Sequence, residues 1–295
     1  MEPSVHIPVL LAEILAWLNP RPGQCYADGT LGGGGHARAL AERVAPDGSV
    51  LAVDRDAAAV ERATQFLRGL PIQVAQGSYA ELPALLAEVG RPAVSGILLD
   101  LGLSSDQLAD RARGFSFDSD GELDLRFDQT RGEPAWRLIM RLPERELANV
   151  IYQYGEERHS RRIARLLVEQ RRHMELRTSQ QLAQILRRAV PRSPRDKIDP
   201  ATRTFQALRI AVNDELGELD KALALLPDCL LPGGRLAIIS FHSLEDRRVK
   251  EAFRSDPRLQ NLTKKPITAD EPELALNPRS RSAKLRVAER RPPAI

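Results

Sequence analysis

Polar side chains close or follow four successive apolar runs that have the composition of buried β-strands. Asp54 ends the second run, and an acid at that position of a nucleotide-binding unit usually hydrogen-bonds ribose hydroxyls. In a parallel sheet the ligand binds beyond the carboxyl ends of the strands, so residues at those ends converge on one site. The four residues at or just past these ends are Asp28, Asp54, Tyr79 and Asp100.

A glycine-rich loop, Gly29–Gly35, connects Asp28 to an alanine-rich helical stretch over residues 37–44. Glycine permits positive φ angles and lets a ligand approach the backbone closely. The first turn of the following helix offers unpaired N–H groups and the positive end of a dipole. Strand, glycine turn and helix in this order predict a nucleotide site, because four consecutive glycines cost too much backbone entropy for an ordinary turn.

The loop fits two kinds of cofactor. Gly32, Gly34 and Ala37 satisfy the pattern G-x-G-x-x-A, so a nicotinamide or flavin oxidoreductase is one hypothesis. Asp28 favours a second hypothesis, S-adenosylmethionine. A carboxylate at the end of the first strand suits the positive amino-acid end of that molecule and does not suit a pyrophosphate.

The elements around these residues alternate between strand and helix, which predicts a parallel sheet with helices on both faces. No strand-like run occurs between about residues 111 and 209, so we expect a helical insertion there. The α/β pattern then returns with a helix over 205–226, a strand over 235–241 and a last strand over 283–288 at or near the sheet edge. The helices predicted in the insertion are 134–140, 143–154, 160–173 and 178–189.

Charge is distributed unevenly along the 295 residues. The whole chain has a net charge of +3, whereas residues 156–209 carry +8 and the remainder sums to −5. Residues 279–291 add a second basic segment of +5. Such concentration predicts a phosphate-binding face, with a solvated helix surface as the alternative.

Other features exclude several classes of protein. The two cysteines, Cys25 and Cys229, lie in or beside apolar runs and are expected to be buried and reduced, as in a cytosolic protein. No run approaches the length of a membrane span, so we expect a cytoplasmic protein without a membrane partner. No metal site is predicted. The acids at 118, 120, 122 and 124 lack the glycine that a calcium loop needs at its sixth position.

Nine motifs in order cover nearly the whole chain, and several are long and unusual. They are His6–Leu11, Asp28–His36, Ala52–Asp56, Gly96–Ser105, Arg113–Phe117, Tyr154–Arg158, Ala201–Ala207, Ser240–Asp246 and Asn277–Ser282. With these motifs the chain resembles the bacterial S-adenosylmethionine-dependent methyltransferases that methylate N4 of a cytidine in 16S ribosomal RNA.

The resemblance implies an α/β protein with a Rossmann-like class I methyltransferase sheet and an inserted all-helical domain. The expected domains are residues 1–110 and 208–295 for the methyltransferase and residues 111–207 for an RNA-binding insertion. The implied partner is 16S rRNA, expected within the assembled small ribosomal subunit, and a homodimer is left open. The residues implied to hold S-adenosylmethionine are Gly34, Gly35, His36, Asp54, Tyr79, Asp100 and Gln107.

Two residues are expected to be catalytic. The exocyclic amine of cytosine is a poor nucleophile, so acceptors must hold its N–H groups, and Asp100 with the carbonyls of Leu101 and Gly102 would supply them. Many amino-methyltransferases carry an Asp/Asn-Pro-Pro-aromatic loop here, which this chain lacks. His242, at the end of the fifth strand, could accept the proton after transfer. Its alternative role is a strand-end histidine bonded to nearby backbone. A non-catalytic RNA-binding protein remains a third hypothesis.

Overall fold

The computed structural model of the protein describes residues 7–190 and 199–293. His6 and three residues of the predicted basic segment, Arg192, Arg195 and Lys197, therefore lie outside the described residues. The chain packs into two compact units. The sheet unit comprises Met1–Ser104 and Leu216–Ile295, and the helical unit comprises Ser105–Glu215.

The sheet unit contains one seven-stranded sheet in the order β3-β2-β1-β4-β5-β7-β6. Strands β1 to β5 are parallel, and β7 runs antiparallel to both β5 and β6. This order confirms the predicted Rossmann-like α/β sheet of a class I methyltransferase. The strands are β1 (Cys25–Asp28), β2 (Ser49–Asp54), β3 (Ile72–Gln76), β4 (Val94–Asp100), β5 (Leu230–Ser240), β6 (Leu259–Asn261) and β7 (Lys284–Arg290).

Helices cover both faces of the sheet, because the central strands are apolar on both sides. In β4, Ile97 and Leu99 belong to one buried cluster and Leu98 to another, as the two-residue period of a strand requires. In chain order the helices are α1 (Leu11–Leu18), α2 (Gly35–Val44), α3 (Ala57–Phe66), α4 (Leu82–Glu88), α5 (Ser105–Ala109), α6 (Ala135–Arg141), α7 (Glu144–Gly155), α8 (Ser160–Gln170), α9 (Ser179–Ala189), α10 (Thr202–Asn213), α11 (Glu215–Leu225), α12 (Ser243–Ser255) and α13 (Glu271–Leu276).

The helical unit has no named strand among its described residues, in agreement with its sequence pattern. Its core is formed by apolar stripes such as Leu147 and Ile151 of α7 and Ile163 and Leu167 of α8. Helix α9 begins with a capping box in which the Thr178 side chain accepts from the Gln181 amide. No helix among residues 7–190 and 199–293 is long and apolar enough to cross a membrane.

The helix predicted over 205–226 is wrong, since the chain forms two helices, α10 and α11, that meet at Asp214 with a left-handed φ of 49°. The buried side chain of Asn213 explains the break. It donates to the carbonyls of Leu125 and Arg209 and accepts from the Phe127 amide. Three further elements were not predicted, namely the edge strand β6 and the short helices α5 and α13.

Candidate cofactor and active site

The glycine loop crosses from the end of β1 to the end of β2. Its backbone is held there by the Leu31 amide, which donates to the Val53 carbonyl at 2.9 Å, and by the Gly34 amide, which donates to the Leu31 carbonyl at 2.7 Å. Gly34 precedes α2 with a φ of +81°, a conformation that L side chains rarely adopt. The loop therefore presents backbone amides and the first turn of α2 at the carboxyl edge of the sheet.

A second glycine of the loop is required by packing. A Cβ on Gly35 would lie 2.4 Å from Cγ of Pro8, so any side chain there would displace the N-terminal segment. Pro8 thus backs the first turn of α2. Gly33 is half-buried in the same loop.

Asp54 fastens the glycine loop to β2. One carboxylate oxygen accepts from the Gly32 amide at 2.8 Å, and the other accepts from the Asp56 amide at 2.9 Å. Each carboxylate oxygen has two lone pairs and can accept more than one hydrogen bond. The residue consequently has two roles, since it orders the loop and offers an acceptor at the strand end.

Replacing Asp54 with alanine should weaken binding of S-adenosylhomocysteine by roughly tenfold or more, because a charge-assisted hydrogen bond and an anchor of the loop are both lost. Calorimetry on the folded variant measures this. Asp47→Ala, which removes an exposed acid elsewhere in the sheet unit, is the matched control. Unchanged affinity in Asp54→Ala would remove this residue from the site.

Three ionisable residues form a buried cluster at the ends of β1 and β4. Asp28 is 1% exposed, and His36 Nε2 lies 3.6 Å from Asp100 Oδ2. Thr30 joins the two strands, since its amide donates to Asp28 Oδ1 at 3.0 Å and its hydroxyl accepts from the Asp100 amide at 2.6 Å. Asp28 Oδ2 and Asp100 Oδ1 have no hydrogen-bond partner among the described residues. The cluster therefore presents unused carboxylate acceptors beside the glycine loop.

Burial sets the protonation of this cluster. Burial raises the pKa of Asp28 to about 6, an effect that the neighbouring His36 partly opposes. Burial alone would lower the pKa of His36, but the nearby carboxylates of Asp100 and Asp28 outweigh it and raise that pKa above its ordinary value. The cluster thus combines two carboxyl groups and an imidazole with little solvent, which suits a ligand that has a positive group.

Asp28→Asn should stabilise the protein at neutral pH by up to about 3 kcal/mol and weaken cofactor binding. Because the pKa of Asp28 is higher in the folded protein than its ordinary value, this residue contributes stability at low pH. That contribution is lost as the pH rises through about 6. Asparagine does not titrate and keeps the acceptor for Thr30.

Thermal unfolding at about pH 4.5 and 7.5 tests this pH dependence. The gain in melting temperature over the natural protein should be larger at the higher pH. Asp47→Asn, with the same charge change at an exposed site, should show no such difference. An equal gain for Asp28→Asn at both pH values would contradict the assignment.

The loop after β4 follows Asp100 and continues through Leu103. The Leu101 amide donates to the Ile239 carbonyl at 3.0 Å, which ties the loop to β5. Gly102 has a φ of +96°, and a Cβ there would lie 3.5 Å from the Phe241 ring. The loop is thus shaped by a glycine turn and an aromatic neighbour.

His242 was expected to end the fifth strand, but β5 ends at Ser240, and His242 instead forms the N-cap of α12. Its Nδ1 accepts from the Glu245 amide at 3.4 Å, and its Nε2 lies 3.1 Å from Glu245 Oε1. The Glu245 carboxylate also accepts from the Phe241 amide. The imidazole therefore has a structural task in a capping box, and its catalytic role stays a prediction.

The remaining predicted residues occupy separate places. Tyr79 opens a 3-10 turn, Tyr79–Glu81, after β3, and this turn is capped by Ser78. Gln107 is buried in α5 of the helical unit.

The sheet brings Asp54, Asp28 and Asp100 together on the adjacent strands β2, β1 and β4. Sequence reasoning missed Thr30, although a hydroxyl two residues after a strand-end acid is a usable signal.

Comparison with known proteins connects this site to one family. Residues 3–291 match the model of the MraW methylase family. The chain is 51% identical to ribosomal RNA small subunit methyltransferase H of Rhodopirellula baltica, over 97% of this chain and 91% of that protein. It is 52% identical to the protein of the same name from Deinococcus radiodurans, over 97% and 89%. For the Geotalea uraniireducens protein of that name the identity is 47%, over 97% and 98%.

Proposed function

The chain belongs to the MraW methylase family, and on this premise we propose that it methylates N4 of a cytidine in small-subunit (16S) ribosomal RNA. The observation that supports the proposal most strongly is identity near 50% to ribosomal RNA small subunit methyltransferases H over almost the full length of both chains. The protein is an enzyme of the methyltransferase class, and its cofactor is S-adenosylmethionine.

The residues present fit this cofactor. Gly34, with its positive φ, and Gly35, which packs against Pro8, leave the end of the loop without side chains. Asp28 and Asp100 each keep a buried carboxylate oxygen without a partner among the described residues. A positive amino-acid end and a ribose are the groups that such acceptors recognise. When bound, S-adenosylmethionine supplies an activated methyl group on a sulfonium.

Each cofactor residue has a distinct task in this proposal. Asp28 and the first turn of α2 hold the amino-acid end, with His36 keeping the buried carboxylates in place. Asp54 accepts from the ribose, and the Tyr79 ring stacks on the adenine. Gln107 is a further residue of the proposed cofactor set.

The chemical task of the protein is to orient a poor nucleophile. The Asp100 carboxylate and the carbonyls of Leu101 and Gly102 accept from the exocyclic amine, which directs its lone pair toward the methyl group. Positioning of this kind supplies most of the rate in such a reaction. His242 accepts the proton that the amine loses, provided that its capping bonds allow it to turn.

The helical unit is the RNA-binding part of the enzyme. This assignment is supported by the net charge of +8 over residues 156–209. The substrate is the assembled small ribosomal subunit, and the protein therefore works in the cytoplasm. A homodimer is compatible with these assignments and is tested by light scattering.

Two alternatives are less well supported. The G-x-G-x-x-A match at Gly32, Gly34 and Ala37 suggested an oxidoreductase, but membership of a methylase family argues against it. A non-catalytic RNA-binding protein would not need the buried acceptors of Asp28 and Asp100.

The proposal is tested by mass spectrometry of 16S rRNA from cells with and without the protein. One cytidine should lose a methyl group from N4 when the protein is absent and regain it on complementation. Purified protein should then methylate unmodified small subunits in vitro, and a parallel reaction with naked 16S rRNA identifies which form is the substrate. Identical methylation in both cell lines would overturn the proposal.

A further inference from the structure

The motif Asn277–Ser282 contains two residues for which the mechanism above has no task. It forms a 3-10 turn, Pro278–Ser282, between α13 and β7. Ser280 is buried and its hydroxyl donates to the Asn277 carbonyl at 2.7 Å, which closes the turn. Asn277 is also buried and Arg279 is half-buried, whereas Arg281 is exposed. The side chains of Asn277, Arg279 and Ser280 thus face the protein.

Asn277 reaches the segment that backs the glycine loop. Its side-chain amide donates to the Ile7 carbonyl at 3.0 Å, and Glu273 of α13 accepts from the Leu10 amide at 2.7 Å. These two bonds bracket Pro8, whose ring occupies the space that a side chain on Gly35 would need. A shift of Pro8 would therefore be transmitted to the first turn of α2.

Arg279 reaches the loop that carries the amine acceptors. Its guanidinium donates to the Leu103 carbonyl. The near end of this loop is tied to β5 by the Leu101 amide, so the loop is fixed on both sides of the glycine turn at Gly102. A hydrogen bond from a charged donor is stronger than a neutral one, and it sets the direction of the carbonyl it holds.

We propose that Asn277 and Arg279 are positioning residues for methyl transfer, Asn277 for the cofactor loop through Ile7 and Pro8, and Arg279 for the acceptor loop through Leu103. Neither residue touches the reacting groups. The inference rests on the proposed function, and its two arms make different kinetic predictions. Loss of the Asn277 side chain should weaken cofactor binding, and loss of the Arg279 side chain should slow the transfer step.

For Arg279 the test compares Arg279→Gln, Arg279→Lys and the exposed neighbour Arg281→Gln. Arg279→Gln should lower the single-turnover rate at saturating cofactor and subunits by roughly 10–100-fold, as a small misplacement of acceptors does. Affinity for S-adenosylhomocysteine, measured by calorimetry, and melting temperature should stay close to those of the natural protein. Arg279→Lys keeps a charged donor and should restore part of the rate, while Arg281→Gln should leave it unchanged.

A raised KM for subunits with an unchanged saturating rate in Arg279→Gln would overturn this arm, because Arg279 would then be a phosphate contact. Equal losses in Arg279→Gln and Arg281→Gln would also overturn it. If the natural protein transfers no methyl group to any RNA, the proposed function fails instead.

For Asn277 the test is cofactor affinity. Asn277→Asp keeps the size of the side chain but removes the donor, and it should weaken S-adenosylhomocysteine binding by about 3–10-fold, the range expected for one buried hydrogen bond. The single-turnover rate at saturating cofactor should change little. Pro8→Gly should reproduce this pattern independently, which guards against a folding defect in the Asn277 variant. If both variants bind S-adenosylhomocysteine as tightly as the natural protein does, the role proposed for Asn277 is wrong. Calorimetry measures this without any RNA substrate.

Discussion

Replacing Asp100 with asparagine is expected to lower the rate of methyl transfer by roughly 10²–10³-fold in a protein that remains folded. One oxygen of Asp100 has no partner among the described residues, and the other faces His36 at 3.6 Å. Asparagine has nearly the same shape, but it loses the negative charge and presents a donor where the cytosine amine needs an acceptor. The Asp100 amide bond to Thr30 is a backbone interaction and is retained.

Single-turnover methylation of small subunits measures this loss at saturating cofactor. Calorimetry with S-adenosylhomocysteine is run in parallel, because Asp100 is also assigned to the cofactor and some loss of affinity is expected. Asp47→Asn makes the same chemical change at an exposed position and should have the natural rate. A rate within about threefold of natural for Asp100→Asn would assign the acid a structural role, since a lost electrostatic contact in an active site costs far more.

His242 provides an instructive contrast. Because it caps α12 through the Glu245 amide, His242→Ala would remove a cap and an imidazole together. His242→Asn is the better variant, since asparagine is a favoured N-cap residue that cannot serve as the base. Its loss of rate should not exceed the ~10²–10⁴ typical of a general base, and a natural rate would make the residue a cap only.

The strand-end acids could be predicted from the sequence because their positions follow from local pattern. An apolar run that ends in an acid predicts a strand and marks its carboxyl end. The pairing register of the parallel strands then places these ends side by side. Asp28 pairs with Ala52 of β2 and Leu98 of β4, which places the three acids at one edge. The glycine loop and the α2 N-terminus follow from the same local signals.

Other parts of the site depend on contacts that local pattern does not contain. The bond from Asn277 to Ile7 joins residues 270 positions apart. Likewise, the break at Asp214 is caused by Asn213, whose side-chain partners Leu125 and Phe127 lie far back in the chain. An uninterrupted helical pattern could not reveal such a partner. Edge strand β6 has only three residues, too few for a period to be detected.

The basic segment of the helical unit is less uniform than its net charge suggests. Arg171 donates to the carbonyls of Ile139 and Leu142 at 2.6 Å and is thereby part of the fold. Arg209 forms a two-bond ion pair with Glu215. In the second basic segment, Arg286 is buried against Asp246, so it is not a candidate for RNA contact.

Helix α8 presents its charge differently. Its buried stripe contains Ile163, Ala164 and Leu167, which leaves Arg161, Arg162 and Arg165 on the exposed side. The Arg165 guanidinium lies 3.8 Å from Glu144, but both groups are solvated, so this pair contributes little to stability. Three arginines within one and a half turns can therefore meet the phosphates of an RNA strand at little cost to the fold.

Reversing these three charges, by replacing Arg161, Arg162 and Arg165 with glutamate, should lower affinity for the small subunit by roughly 10–100-fold at moderate salt. The physical reason is counterion release. Each arginine that neutralises a phosphate displaces condensed ions, so its loss also flattens the dependence of affinity on salt, by about 2–3 in logarithmic slope if all three make contact. Cofactor affinity should stay within error, because the cofactor residues of the glycine loop and strand ends belong to the sheet unit.

The control must change net charge equally, since replacing three positive charges with three negative charges weakens attraction to RNA at long range wherever the change is made. Exposed Arg247, Lys250 and Arg254 of α12 offer this match on a helix of the sheet unit. Filter binding across a salt series should show a large loss and a flatter slope for the α8 variant, and only a small loss with the natural slope for the α12 variant. Equal behaviour of the two variants would mean that only total charge matters. The α8 surface would then be an ordinary solvated helix face.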